Sequence, residues 1–277
     1  MNVILENILV LSAVALLAAF VLYFVSQKFS VQENPLTDKI TALLPGVNCG
    51  ACGKAGCRDF ASACCHADEK TFASLYCPVG GSEVMKKVAD ELGFAATEQQ
   101  KKVATLKCNG SCENAPAKIC YDGAPICRIA DKIFVGSNGC PNGCLKLGDC
   151  VKVCKFDALH INPQTGLPEV DETKCTACGA CVNVCPRGLF ELRPVSDDGQ
   201  KIYVACSNTQ KGAVARKNCK AACIGCMKCT KINPEIKVAN NLSYIPSSVS
   251  PKEYGAALAE TCPTGAIIYT GNKAHEQ

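Results

Sequence analysis

Residues Cys175–Pro186 read CTACGACVNVCP, with Cys175, Cys178, Cys181 and Cys185 in CxxCxxCxxxCP order. This stretch decides the fold. Thiols in CxxC spacing can converge on one small inorganic core. In two-cluster folds of this kind the fourth cysteine ligates the cluster of a second run, so each core takes three thiolates from one run and one from the other. A partner run must therefore lie nearby.

It lies upstream in altered form, as Cys140, Cys144, Cys150 and Cys154 within CPNGCLKLGDCVKVCKF. Regular spacing would put a cysteine where Leu147 stands, which makes Cys140 the expected substitute. Lys155 replaces the usual proline. Crossing the fourth ligands, as in bacterial ferredoxins, gives one set of Cys140, Cys144, Cys150 and Cys185 and another of Cys154, Cys175, Cys178 and Cys181. Short strands are expected over Ala158–Asn162 and Leu189–Arg193. Further on, Cys223, Cys226 and Cys229 repeat the triplet, but Asn233 occupies the fourth position. Cys262-Pro263 reads as the tail of another run whose triplet is replaced by LSYIPSSVSPKEYGAALAE. The crossing rule couples these losses: the missing cluster would need both absent parts, whereas Cys223, Cys226, Cys229 and Cys262 survive as a complete set.

The composition agrees. The 277 residues include 24 Cys, 22 Gly and 14 Pro, with no Trp and three His. So much cysteine limits the chain to disulfide scaffolds, zinc modules or iron–sulfur proteins. Closely spaced CxxC thiols pair poorly with one another, and His66, His160 and His275 stand away from every CxxC pair. Iron–sulfur clusters need a reducing compartment, which puts the cysteine-bearing part in the cytoplasm. The formal net charge is +4, and bound clusters add negative charge of their own, so nucleic acid is not an expected partner. No Ser–His–Asp set, paired-carboxylate site, phosphate loop or GxGxxG stretch suggests independent catalysis.

At the N-terminus, Ile8–Val25 is an apolar run broken only by Ser12, about the length of a membrane-spanning helix. No positive residue precedes it and no small-residue cleavage site follows, which argues against a signal peptide. Lys28 and the cytoplasmic cysteines put the N-terminus outside and the bulk of the chain inside the cell inner or plasma membrane. Next comes LPGVNCGACGKAGC, with Cys49, Cys52 and Cys57, and then Cys77 in CPVGG. Arg58–Asp68 reads as helical, and a helix capped by Ser82 is expected to run to Leu92 with Gly93 as its stop. Cys64 and Cys65, being adjacent, read as buried small apolar residues.

The LPGVNCGACGKAGC…CPVGG stretch behind an N-terminal membrane helix resembles the B subunit of the Rnf ion-translocating electron-transport complex, and the likeness continues through the ferredoxin-like region. The resemblance implies a 4Fe–4S cluster on Cys49, Cys52, Cys57 and Cys77. It also implies a role as the electron-transfer component of a ferredoxin:NAD oxidoreductase coupled to Na+ or H+ movement. The implied partners are soluble ferredoxin, flavin-bearing subunits and multi-span membrane subunits.

The expected fold class is α+β and cofactor-dominated. A transmembrane anchor (1–26) and linker (27–37) lead to a 4Fe–4S module (38–94) and a connecting cysteine-containing segment (95–135). A ferredoxin-like dicluster domain (136–195) and a degenerate one-cluster copy (196–277) complete it. Four 4Fe–4S clusters have named ligand sets, with at least three expected and five the upper count. Cys108, Cys112, Cys120, Cys127, Cys206 and Cys219 remain; Cys108, Cys112, Cys127, Cys206 and Cys219 are possible extra ligands, and buried structural thiols are the alternative. Between Asp198 and Glu235 there is no acidic residue. Lys211, Arg216, Lys217 and Lys220 there, together with Lys201, Lys228 and Lys231, form either a candidate docking face for acidic ferredoxin or local compensation for a negative cluster at Cys223–Cys229. The competing readings are an iron–sulfur component of another membrane oxidoreductase, such as a hydrogenase, and a membrane-tethered Cys-only zinc scaffold.

Overall fold

The computed structural model describes residues 2–28, 34–95, 100–196 and 198–271, with side chains from residue 5 onward. The expected linker residues 29–33 and His275 lie outside them. Helix α1 (Asn2–Lys28) carries the apolar run. Its 24 residues from Leu5 to Lys28 extend about 36 Å at the helical rise, enough to cross a hydrocarbon core of about 30 Å. Every described side chain along it is exposed, Leu16 and Leu11 most of all at 72% and 70%. A helix apolar on all sides and packed against none of the other described residues suits lipid as its solvent, so the chain associates with a membrane.

A small helical unit follows. Helix α2 (Pro35–Leu43) starts at Asn34, whose side chain accepts the Leu36 amide, with Pro35 in the first turn. Helices α3 (Cys57–Cys65), α4 (Glu69–Phe72) and α5 (Gly81–Leu92) fold against it. They bury Ile40, Phe60, Ala61, Phe72, Met85 and Val88. Helix α5 ends as expected, with Gly93 left-handed at φ 72°. It begins two residues earlier than the sequence suggests, behind Gly80 and without a side-chain cap.

The remaining chain uses one plan twice. Strand β1 (Lys102–Leu106) leads to helices α6 (Cys127–Ile133) and α7 (Asp149–Lys152). Then come strands β2 (Leu159–Ile161) and β3 (Pro168–Val170), helix α8 (Ala180–Val184) and strand β4 (Phe190–Pro194). The outer strands pair antiparallel from Lys102↔Pro194 to Leu106↔Phe190, and β2 and β3 form a hairpin between them. Strand β1 falls in the segment expected to be a connection, yet its pairing with β4 closes the first half. The second half has strand β5 (Ile202–Val204), helix α9 (Gly212–Asn218), the hairpin β6 (Lys237–Ala239) and β7 (Leu242–Tyr244), helix α10 (Pro251–Thr261) and strand β8 (Ile267–Tyr269). Here β5 pairs with β8 and β6 with β7. The Arg193 guanidinium joins the halves: it donates to the Ile245 carbonyl at 2.6 Å and lies 5.9 Å above the Tyr244 ring.

Helix α10 occupies the place of the missing triplet. Counting back from Cys262 with the spacing of the 175–185 run gives Lys252, Gly255 and Leu258. Leu258 is fully buried among Ile236, Ile245 and Val249. The Tyr269 ring packs on Gly255 so closely that no side chain could be added there. Asn233, in the place of the fourth thiol, is buried and turns its side-chain oxygen back to accept the Glu235 amide at 2.8 Å. Apolar packing thus fills the space that a cluster would have organised.

Candidate metal centres

Cys49, Cys52, Cys57 and Cys77 line one recess, walled by Leu44, Val47, Phe60 and Val79. The loop is held by Asn48, whose Oδ1 accepts the Cys57 amide at 2.8 Å. Gly56 is required beside it, because a Cβ there would stand 2.9 Å from that oxygen. The Gly80 amide points at Cys77 Sγ from 3.4 Å. Cys64 faces the core, where burial and its thiol neighbours push it up to about 12. Cys65 is half-buried and accepts from the Thr37 hydroxyl at 3.5 Å.

In the first ferredoxin-like half, Cys154, Cys175 and Cys181 pack into one core with β1 and β4 side chains. Burial, then the nearby Cys175 and Cys178 sulfurs, push the Cys181 thiol up to about 12. Amides of Ala104 and Ala158 approach Cys175 and Cys154 at 3.4 Å each.

The neighbouring set differs from the expected one. A recess there is lined by Cys127, Cys144, Cys150 and Cys185. Cys140 is absent from it. Cys127 opens α6, and its amide donates to Asp149 Oδ2 at 2.8 Å, which ties it beside Cys150. Burial pushes the Cys150 thiol up to about 12, with Cys127 and Cys185 as the next causes. Arg187, just past Cys185, accounts for the position of Cys140. Its side chain is nearly buried, pairs with Asp131 at 2.7 Å, and donates to the carbonyls of Phe134, Val135, Cys140 and Gly143. This clamp fixes the 134–143 loop with Cys144 at the recess and Cys140 turned away, its sulfur accepting from Asn208 Nδ2 at 3.4 Å.

In the second half, Cys223, Cys226, Cys229 and Cys262 line a recess with Val204, Ile224 and Ile267. Burial alone would push the Cys262 thiol up. The amides of Thr264, Ile267 and Ala266 and the Thr264 hydroxyl outweigh it and hold the thiol below its ordinary value. Cys226 is exposed, as is Met227 beside it.

Among the described residues, no group of three or more His, Cys, Asp or Glu converges tightly enough to hold a single metal ion. The thiols stand around spaces instead, with backbone amides aimed at sulfur. All-thiolate donor sets, apolar walls and N–H···S contacts fit iron–sulfur clusters. Buried thiols with raised values ionise when a bound metal core compensates the charge.

Of the remaining cysteines, Cys112 and Cys120 are exposed. Of the expected docking residues, Lys211, Arg216, Lys217 and Lys220 are exposed, as are Lys228 and Lys231. Lys201 is not: it is 6% exposed and paired with Glu172.

Two ferredoxin-like halves, thiol sets with amide cradles and a helix of membrane-spanning length define an iron–sulfur electron-transfer protein. Residues 168–191 match the family described as 4Fe-4S binding domain, and residues 44–68 that described as "Putative Fe-S cluster". The chain is 36% identical over 269 residues to the B subunit of the ion-translocating oxidoreductase complex of Methanosarcina acetivorans, a match covering 96% of this chain and 98% of that protein. It is 36% identical over 281 residues to the B subunit of the proton-translocating ferredoxin:NAD(+) oxidoreductase complex of Clostridium ljungdahlii, covering 100% of this chain and 97% of that protein. With the Na(+)-translocating counterpart of Acetobacterium woodii it shares 40% identity over 223 residues, 80% of this chain and 65% of that longer protein. The chain therefore belongs to the B-subunit family of ion-translocating oxidoreductase complexes, the Rnf type, and serves there as the iron–sulfur electron-transfer component.

Proposed function

We propose that the chain relays electrons between soluble ferredoxin and the flavin-bearing and multi-span subunits of its complex, whose coupling ion is Na+ or H+. The carrying observation is a succession of thiol sets. Around one broad cleft, Ala51, Tyr76 and Pro78 of the first module face Cys175, Ala177 and Cys178 of the next set. Cys181 of that set in turn lies near Cys150 of the following one. When bound, 4Fe–4S clusters supply one-electron couples; the residues' part is to hold them, surround them with apolar walls and aim amides at their sulfurs.

Four ligand sets follow from this reading: Cys49, Cys52, Cys57 and Cys77; Cys127, Cys144, Cys150 and Cys185; Cys154, Cys175, Cys178 and Cys181; and Cys223, Cys226, Cys229 and Cys262. Cys127 takes the place that the sequence assigns to Cys140. The exposed Cys226 and Met227, flanked by Lys228, offer a port for ferredoxin. Lys211, Arg216, Lys217 and Lys220 then steer an acidic partner by long-range attraction. The N-terminus lies outside and the cysteine-bearing bulk on the cytoplasmic side, which supports contact with a soluble donor. Protease added to inside-out vesicles is expected to digest the bulk, and sealed right-side-out vesicles to protect it.

The decisive test is the double variant Lys217→Glu, Lys220→Glu. Its rate of reduction by ferredoxin is expected to fall severalfold at low salt and to approach the unaltered protein's rate at high salt. An unchanged low-salt rate would remove the docking face. Anaerobic purification yielding zinc and no iron would remove the relay itself.

A further inference from the structure

Beyond α1, five of the nine large apolar side chains exposed among the described residues fall between Ile119 and Val135. Scattered singly, such residues mean little; gathered on one surface they mark a contact. Helix α6 lies in this stretch and is turned the wrong way round for a core helix. Its fully buried residue is Ala130, while Ile126 at its cap, Ile129 and Ile133 are exposed, Ile133 at 74%. At about 100° per residue the three isoleucines share one flank. Arg128 and Lys132 run beside them, exposed and without an ion-pair partner among the described residues.

Ile119 and Val135 extend the flank. The amides of Lys118 and Ile119 donate to the Ser137 carbonyl at 2.7 and 3.0 Å, which lays the two segments side by side. The Tyr121 ring stacks on Phe134 with centroids 4.9 Å apart. From behind, Arg187 grips Asp131 and the carbonyls of Phe134 and Val135. The patch is therefore preformed on a clamped frame, and a contact there costs little ordering.

Charge and tether say what covers it. Six steps of chain separate Lys28, at the end of the anchor, from Asn34, at most about 22 Å when fully extended. The folded part is thus confined beside the bilayer, where even a weak surface contact forms intramolecularly. Isoleucines interleaved with cations suit the boundary between acyl chains and anionic headgroups. Multi-span subunits are a poorer match, because cytoplasmic loops of such proteins carry an excess of Lys and Arg that would repel Arg128 and Lys132.

We propose that this patch of Ile119, Ile126, Ile129, Ile133 and Val135, with Arg128 and Lys132, rests on the anionic surface of the membrane in which α1 is anchored. The proposal goes beyond the relay reading and takes from it the cytoplasmic placement and Cys127 as a ligand. Because Cys127 opens α6, the contact holds the set of Cys127, Cys144, Cys150 and Cys185 beside the bilayer and restricts the swing of the folded part on its tether.

The chain has no tryptophan, so a single introduced indole reports alone. Full-length Ile133→Trp and Ile119→Trp, purified anaerobically with unchanged iron counts, are reconstituted into phosphatidylcholine–phosphatidylglycerol vesicles with or without bromine on the acyl chains. Both are expected to emit severalfold less in the brominated vesicles, a comparison that cancels quenching by the clusters. Tyr244→Trp, exposed on β7, is expected to differ little between the two. Adding Arg128→Glu and Lys132→Glu to the Ile133→Trp chain is expected to remove most of the bromine effect. No bromine effect at either isoleucine position overturns the contact, and so does an equal effect in Tyr244→Trp, since no face would then be selected. A bromine effect indifferent to the charge reversal overturns the anionic surface as partner. Absence of the effect together with loss of the Ile133→Asp chain from its complex assigns the patch to another subunit instead. Either leaflet gives the same reading, so a failure of the cytoplasmic placement shows in the protease experiment and not here.

Discussion

A single carboxylate and a single guanidinium separate Cys127 from Cys140. Asp149 accepts the Cys127 amide and ties it beside Cys150, while Arg187 holds the loop that turns Cys140 away. Spacing along the chain could not reveal this, because the distance from Cys127 to Cys150 is closed by tertiary bonds; the only local sign was a spare cysteine ahead of a run that lacked one. Cys127→Ala is expected to remove about four iron atoms per chain, and an unchanged iron count would return the place to Cys140. Arg187→Ala breaks a nearly buried ion pair and leaves four carbonyls without their donor, at a cost of about 3 kcal/mol. Faster bleaching of the cluster absorbance on mild heating would report it. In the first module, Gly56→Ala drives a methyl toward Asn48 Oδ1 and breaks the bond that positions Cys57. A loss of about 1–3 kcal/mol follows, seen as lower iron occupancy with the other sets intact.

At the scale of elements, the runs announced their own helices and hairpins. The CxxCxxCxxxCP spacing at 175–186, the strands after each run and the Gly93 stop were all legible, because metal ligation and turn chemistry are written locally. The pairing of β1 with β4 was not. Five residues, Lys102–Leu106, carry a strand pattern but no mark of their distant partner. Helix α10 shows the opposite case: the sequence displayed a lost triplet, and only packing showed what replaced it. Leu258→Ala opens a cavity among Ile236, Ile245 and Val249 and is expected to cost about 2–5 kcal/mol. Thermal loss of the second half's cluster signal at lower temperature would measure it, and an unshifted transition would mean that the helix is not holding that half together.

Across the whole molecule, the N-terminal apolar helix was readable from composition, whereas the way the halves meet was not. Arg193, Lys201 and Asn208 join them, and each looks in the sequence like an ordinary polar residue. Lys201 is the instructive one: it lies in a stretch without acidic residues and reads as surface charge, yet it is buried against Glu172. Reversing it to Glu is therefore expected to destabilise the junction between halves, while Lys228→Glu slows the encounter with an acidic donor in a salt-dependent way. Comparing iron retention with the reduction rate in the two variants separates these effects.

The apolar plug built from Leu258, Ile245 and Val249 has an electrical meaning. Side chains of this kind are insulation, and they flank the set at Cys226 where a ferredoxin would have offered a second conducting centre. On the relay reading proposed above, an electron held at the set of Cys223, Cys226, Cys229 and Cys262 has no second centre on that side to pass to. On that reading the second half would act as a terminal rather than a junction, with no branch for the current on that side.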